Sequence, residues 1–204
     1  NSYVACRFAW PDETAQLRRS IHGCSFASDA KRMEAPQFVE ILSGNMRTAI
    51  LTGGLPYHQR VVRRRLDSLL RVRGSQKTEF RFGIAVESPH AWRAASEFVA
   101  PPLAVAAVSP PSTSSGWLFH IDAAHVLATH WSPRVETGRV IGFRVRLLEM
   151  AGRRAELRLR SCQAPMAAQR TDLAGTPQAD LPIDGDAVRV SIKPYEWIQL
   201  IVSW

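Results

Sequence analysis

The sequence predicts an all-β fold: an antiparallel β-sandwich, as one unit or two stacked β units, with at most one short helix near residues 89–99. Two stretches carry the pattern. Ala155, Leu157 and Leu159 alternate with Arg154, Glu156, Arg158 and Arg160, and Ile198, Leu200, Val202 and Trp204 interleave with Gln199 and Ser203. A period of two belongs to a sheet with one buried and one wet face. Punctuation is the third observation. Gly53-Gly54, Gly152 and Asp184-Gly185 fall in gaps between such runs, where hairpins need turn residues. Many short strands with few helices argue for a sandwich.

In chain order, strands are expected over residues 3–10, 37–42, 47–52, 79–86, 117–122, 126–131, 139–148, 154–161, 187–192 and 197–204. Within 79–86, Phe80, Phe82, Ile84 and Val86 form the apolar set, and within 139–148 it is Ile141, Phe143, Val145 and Leu147. Ser88-Pro89 reads as a cap and first-turn proline, followed by Trp92, Ala95, Phe98 and Val99 at helical spacing. Residues 60–73 (RVVRRRLDSLLRVR) fit two templates. As a strand, Val62, Leu66, Leu70 and Val72 share a face; as a helix, Val61, Val62, Leu66, Leu69 and Leu70 make a stripe. The surrounding strands favour the strand, with its arginines as a solvated face. Residues 109–116 (SPPSTSSG) read as a linker or exposed loop between a β-sandwich unit over 1–108 and a C-terminal β unit over 117–204.

Composition narrows the function. With 204 residues, the chain can bury a substantial core. Its net charge of +8 rests on 26 cations, all arginine except Lys31, Lys77 and Lys193. Arginines spread along separate strands read as wet outer faces and not as a phosphate-binding surface, so no nucleic-acid partner is expected. No apolar run approaches the ~20 residues that span a bilayer, and no membrane partner is expected. Cys6, Cys24 and Cys162 are odd in number and lack a C-x-x-C pair, which argues against a disulfide framework or zinc ribbon. Cys6 lies on the apolar face of Val4, Phe8 and Trp10 and reads as a buried thiol. The chain starts at Asn1 without a methionine or signal-like segment, as a piece of a longer protein would, and its localisation is left unassigned.

Candidate chemistry is sparse. His120 and Asp122 would project from one face of a strand, with His125 and His130 nearby, a set that could ligate a metal. An H-x-D triplet on the polar face of a strand is also ordinary, and the reading is that no metal binds. Asp67, Glu79, Glu87, Asp122, Glu136 and Glu149 form no evident acid–base pair. There is no G-x-S-x-G elbow and no phosphate-cradling glycine loop. No catalytic residue is assigned. Trp10, Trp92, Trp117, Trp131, Trp197 and Trp204 could stack on sugars, although tryptophan in a sandwich is ordinarily core. Trp197, opposite the buried set of the last strand, is expected to be exposed.

Several segments are similar to the C-terminal β region of glycoside hydrolase family 38, the α-mannosidases. They are Tyr3-Val4-Ala5-Cys6-Arg7-Phe8-Ala9-Trp10; Glu34-Ala35-Pro36-Gln37-Phe38-Val39-Glu40-Ile41 followed by residues 48–55; Arg63-Arg64-Arg65-Leu66-Asp67; and the end of the chain from Arg170, with Pro194-Tyr195-Glu196 opening the final strand. His120-Ile121-Asp122 resembles the family's zinc motif, but that motif opens a long α/β domain, and strands follow here. The resemblance implies that this chain is non-catalytic and needs no cofactor, with zinc in the catalytic domain of the parent hydrolase. It would brace that domain of the same polypeptide, with carbohydrate as the other partner and Arg64 and Arg65 as substrate-binding residues at the rim of the sugar pocket. Arginine suits that task because its planar fork holds two hydroxyls or a carboxylate at once. A stand-alone carbohydrate-binding module is the alternative.

Overall fold

A computed structural model describes residues 3–71, 76–100 and 117–204, together with 104, 106, 108 and 109. The chain divides into two units, Asn1–Val105 and Ala106–Trp204. The expected linker lies outside the described residues beyond Ser109, as do Val72 and Arg73 of the basic stretch.

Among the described residues, the first unit holds nine strands: β1 (Ala5–Ala9), β2 (Gln16–Ile21), β3 (Cys24–Ala27), β4 (Arg32–Glu34), β5 (Phe38–Ser43), β6 (Met46–Leu51), β7 (Tyr57–Val62), β8 (Arg65–Leu69) and β9 (Gly83–Val86). They form a four-stranded sheet, β1-β8-β7-β4, and a five-stranded one, β3-β2-β5-β6-β9, with antiparallel pairing throughout. Leu17, Val39, Ile41 and Ile50 from the larger sheet meet Met33 and Leu66 from the smaller, with Phe8, Trp10 and Phe82 packed around them. Leu66 has no exposed surface, and burying such a side chain contributes about 2 kcal/mol. The other face of the five-stranded sheet, Phe38, Ala49 and Leu51, is covered by Ala91, Ala95, Trp92 and Phe98 of helix α1 (Ala91–Val99). The helix stands where its apolar spacing predicts, but the expected cap is displaced: His90 occupies the N-cap position and makes no side-chain cap bond. Glu87, at φ +54°, turns the chain, and Pro89 holds Ser88 out of helical geometry.

Two strand expectations change. The basic stretch is neither one strand nor a helix but a hairpin, β7 and β8, turning at Arg63-Arg64. Of residues 79–86, only Gly83–Val86 pair as a strand. Ala85 packs towards the helix, so Ile84 and Val86 point the other way at the edge of the sheet and stay exposed.

The second unit repeats the plan with β10 (Phe119–Ile121), β11 (Val126–Glu136), β12 (Arg139–Glu149), β13 (Ala155–Ser161), β14 (Ala167–Thr171), β15 (Pro177–Asp180), β16 (Ile183–Asp184), β17 (Ala187–Ile192) and β18 (Trp197–Ser203). The sheet orders are β10-β13-β17-β16 and β11-β12-β18-β14-β15. Leu157, Leu159, Val188, Val190 and Ile192 of the first face Phe143, Val145, Leu147, Ile198, Leu200 and Val202 of the second, the alternation seen in the sequence. Phe119, Trp131 and Trp204 complete this core, the Phe119 and Trp131 rings stacking at 3.9 Å between centroids. The outermost strands of the five-stranded sheet carry Pro133 and Pro177, and the other sheet ends in three-residue β10 and two-residue β16. The all-β sandwich expectation holds, with one short helix among the described residues. None of the helices there is long and apolar enough to cross a membrane.

Candidate functional site

The face of the β1-β8-β7-β4 sheet turned away from the core carries a polar arrangement that runs across all four strands. Because Phe8, Met33 and Leu66 point inward, their neighbours in sequence point out. Register then sets Arg32, Gln59, Asp67 and Arg7 in one row across all four strands. Asp67 has no exposed surface. Its Oδ1 accepts from Arg7 Nε at 2.8 Å, and its Oδ2 accepts from Arg7 Nη2 at 3.0 Å and from the Tyr3 hydroxyl at 2.9 Å. This bidentate fork, with Tyr3 assisting, holds the Asp67 carboxyl below the usual carboxylate range. The same bond raises the Tyr3 phenol above its ordinary value. Beside the row, at the β4 edge, lies a hollow of about 610 Å³, whose walls include Tyr3, Arg32, Glu34, Tyr57 and Gln59 of the outward face, together with Arg19 of β2 and the core-side Met33 and His58. Tyr3 is 44% exposed and Tyr57 42%.

Arg64 and Arg65 stand next to this face but part ways. Arg64 sits in the hairpin turn, where Nη1 donates to the Pro11 carbonyl at 3.2 Å and Nε lies 3.4 Å from Glu13. Arg65, opposite Ala9 on β8, shares the outward direction of Asp67, with its Nε buried and without a hydrogen bond. Tyr3, Arg7, Tyr57 and Asp67 are not legible as a group in the sequence. The only signal was that Arg65 and Asp67 alternate with Leu66.

Inside the same sandwich, His58 and Ser68 form a pair that mimics a base and a nucleophile. His58 Nε2 lies 3.1 Å from the Ala35 carbonyl and Nδ1 lies 2.8 Å from Ser68 Oγ. A carbonyl only accepts, so Nε2 carries the proton and Nδ1 accepts from the serine hydroxyl. With exposures of 1% and 0%, the pair is buried; His58 stands behind the wall of the hollow, and Ser68 is not among its lining. Burial pushes the His58 pKa below its ordinary value. In the unfolded chain this histidine therefore protonates near pH 6.5, whereas in the folded chain it resists until lower pH. Its contribution is complete above about pH 6.5 and is lost as pH falls towards the folded value. Urea titrations between about pH 7.5 and 5.5 should show stability of the first unit declining with acid. His58→Gln should flatten that slope; an unchanged slope would show that His58 is not its source.

The histidines of the second unit do not converge. His120 faces solvent opposite Arg160, and Asp122 Oδ1 accepts from the Arg158 amide at 2.7 Å, so the carboxylate is committed to the strand edge. His125 Nδ1 lies 3.2 Å from Arg153 Nη2, and His130 is exposed on β11 opposite Arg146. Burial lowers the His125 pKa. Among the described residues, no three His, Cys, Asp or Glu side chains come together as a metal site. Of the six tryptophans, Trp10, Trp131 and Trp204 pack on the cores, and Trp92 of α1 packs against the sheet face that the helix covers. Trp117 is 52% exposed and Trp197, as its place in the alternation predicts, 49%.

One carboxylate of the second unit has a different task. Glu149, fully buried at the end of β12, accepts from four backbone amides: Ala151 at 2.6 Å, Gly152 at 2.8 Å, Arg153 at 3.2 Å and Tyr195 at 2.9 Å. It ties the turn before β13 to the Pro194-Tyr195-Glu196 segment before β18. Glu149 read as one scattered carboxylate in sequence because its partners are main-chain groups.

No curated protein matches the chain. In fold it resembles an alpha-mannosidase from Enterococcus faecalis V583 (TM-score 0.69, 13% identity, 97% of this chain and 25% of that one). It also resembles a protein in glycosyl hydrolase family 38 from Enterococcus faecalis (TM-score 0.68, 14% identity, 94% of this chain and 25% of that one). The chain thus spans about a quarter of the length of these structures, and at such identities the likeness is one of fold. Residues 142–196, from β12 to the Glu149-anchored segment, match the model of the glycosyl hydrolases family 38 C-terminal beta sandwich domain, and the resemblance to the C-terminal β region of that family is borne out.

Proposed function

We propose that the chain is a non-catalytic C-terminal β region of an α-mannosidase-like glycoside hydrolase, which braces the catalytic domain of the same polypeptide. In this reading carbohydrate is the substrate, zinc belongs to the catalytic domain and this chain holds no cofactor. Arg64 and Arg65 reach the rim of the sugar pocket. The observation that supports it is the conjunction of the family match over residues 142–196 with a fold that corresponds to a quarter of an alpha-mannosidase structure. Consistent with this, the His58–Ser68 pair, which pairs a base with a hydroxyl, is buried, with exposures of 1% and 0%. Two measurements test the reading. The coding region ahead of Asn1 should encode a zinc-binding α/β domain; a start codon immediately ahead would overturn the proposal. In the polypeptide carrying both parts, Arg64→Ala and Arg65→Ala should each raise KM or lower kcat by about tenfold, the loss of one charged hydrogen bond. Unchanged kinetics for both would remove them from the sugar pocket.

A further inference from the structure

We propose that the outward face of the β1-β8-β7-β4 sheet binds a neutral pyranose saccharide in the hollow bounded by Tyr3 and Tyr57. This goes beyond the bracing role and borrows from it only the choice of mannose as probe.

A carboxylate with no exposed surface, paired to an arginine, adds little stability over apolar packing of the same volume, because desolvation offsets the attraction. What the pair does achieve is placement. Asp67 holds the Tyr3 hydroxyl at 2.9 Å and orients the Arg7 fork, so Tyr3 presents a fixed ring whose surface remains 44% exposed. Tyr57 supplies a second half-exposed ring on the neighbouring strand pair. A pyranose has C–H faces that lie against aromatic rings and an equatorial fringe of hydroxyls, each both donor and acceptor. The hollow offers the matching groups: Arg32 donates, Glu34 accepts and Gln59 does both, all on the tyrosine side of the sheet. Its volume of about 610 Å³ falls within the size of small-ligand clefts. The C–H faces of the ring, and not its charge, are what the two tyrosines would recognise, so a neutral sugar is the expected ligand. Asp67 neutralises Arg7, and Glu34 stands two residues from Arg32 on the same face, leaving Arg19 of β2 as the one cation at the hollow without a counterpart among these groups.

Calorimetric titration of the purified chain tests this, with methyl α-mannoside and an α-linked mannobiose as neutral probes and galacturonic acid as the acidic one. The expected result is saturable binding of a neutral probe, weakened at least about tenfold in Tyr57→Leu and in Arg32→Ala. It should be retained in Tyr57→Phe and unchanged in Trp197→Ala, on the other unit. Circular dichroism confirms folding of each variant; should Tyr57→Leu fail to fold, Arg32→Ala decides. Absence of saturable heat with every probe, binding of the acid alone, or a loss confined to Trp197→Ala would each overturn the proposal. None of these outcomes bears on the coding region ahead of Asn1, so this inference and the bracing role fail separately.

Discussion

Replacing Glu149 by alanine is expected to destabilise the second unit by about 3–5 kcal/mol, among the largest effects of any single polar substitution in the chain. Its two carboxylate oxygens accept four main-chain bonds between 2.6 and 3.2 Å in a site with no solvent exposure. Bonds to a charged acceptor are each worth about 1.5–3 kcal/mol, and a buried amide left without an acceptor costs about 1–3 kcal/mol. The loss stays below the sum of four because the loosened turn can let water reach some of the amides. Glu149→Gln should cost roughly half as much, since its carbonyl accepts while its NH2 confronts donors. Tyr195, whose backbone sits at φ +56°, lays its ring over Gly152 so closely that any Cβ there would strike it. Release of the carboxylate therefore loosens both segments together. Chemical denaturation monitored by far-UV circular dichroism measures the effect; a loss under about 1 kcal/mol would show that the amides find other partners.

Gly142→Ala is the second large effect, expected at about 3–4 kcal/mol or outright misfolding of the second unit. Gly142 lies opposite Ser203 in the β12–β18 pairing at φ +152°, a conformation side chains rarely adopt. A Cβ there would land on the Val202 carbonyl oxygen and 2.9 Å from the Ser203 Cα, both main-chain atoms with no rotamer to yield. The two strands would have to part where Phe143 and Val202 enter the core. Gly138→Ala, in the preceding hairpin with nothing within 4 Å, isolates the steric part: it carries only the strain of φ +78°. A thermal midpoint for Gly142→Ala no lower than that of Gly138→Ala would remove the argument.

The sequence was legible where apolar residues alternate over long strands. β12, β13, β17 and β18 stand close to their predicted places because both inner faces are aliphatic and the register keeps them in phase. β2 escaped because consecutive Arg18 and Arg19 hide the period, and β4 because a three-residue strand with Met33 as its one buried side chain has no period to show. The β7–β8 hairpin turns at two arginines, where no glycine or asparagine announces a turn. The candidate site was opaque for a different reason. Asp67 and Arg7 are sixty residues apart in sequence and meet only through the β1–β8 register. Gln59 and Arg32 join their row through two further pairings. A polar face can be read from alternation, but which polar groups become neighbours depends on strand order, which the chain's pattern leaves open.

The outer strands of the second unit limit how anything can attach to it. Pro133 and Pro177 each remove an amide from the two rims of its five-stranded sheet, and β10 and β16 are too brief to template another strand. β-Augmentation is thus discouraged at all four margins, as is runaway self-association through them. On the β13–β17 surface, anything that docks meets the Arg158, Arg160 and Arg189 guanidinium groups already paired with Asp184 and Asp186.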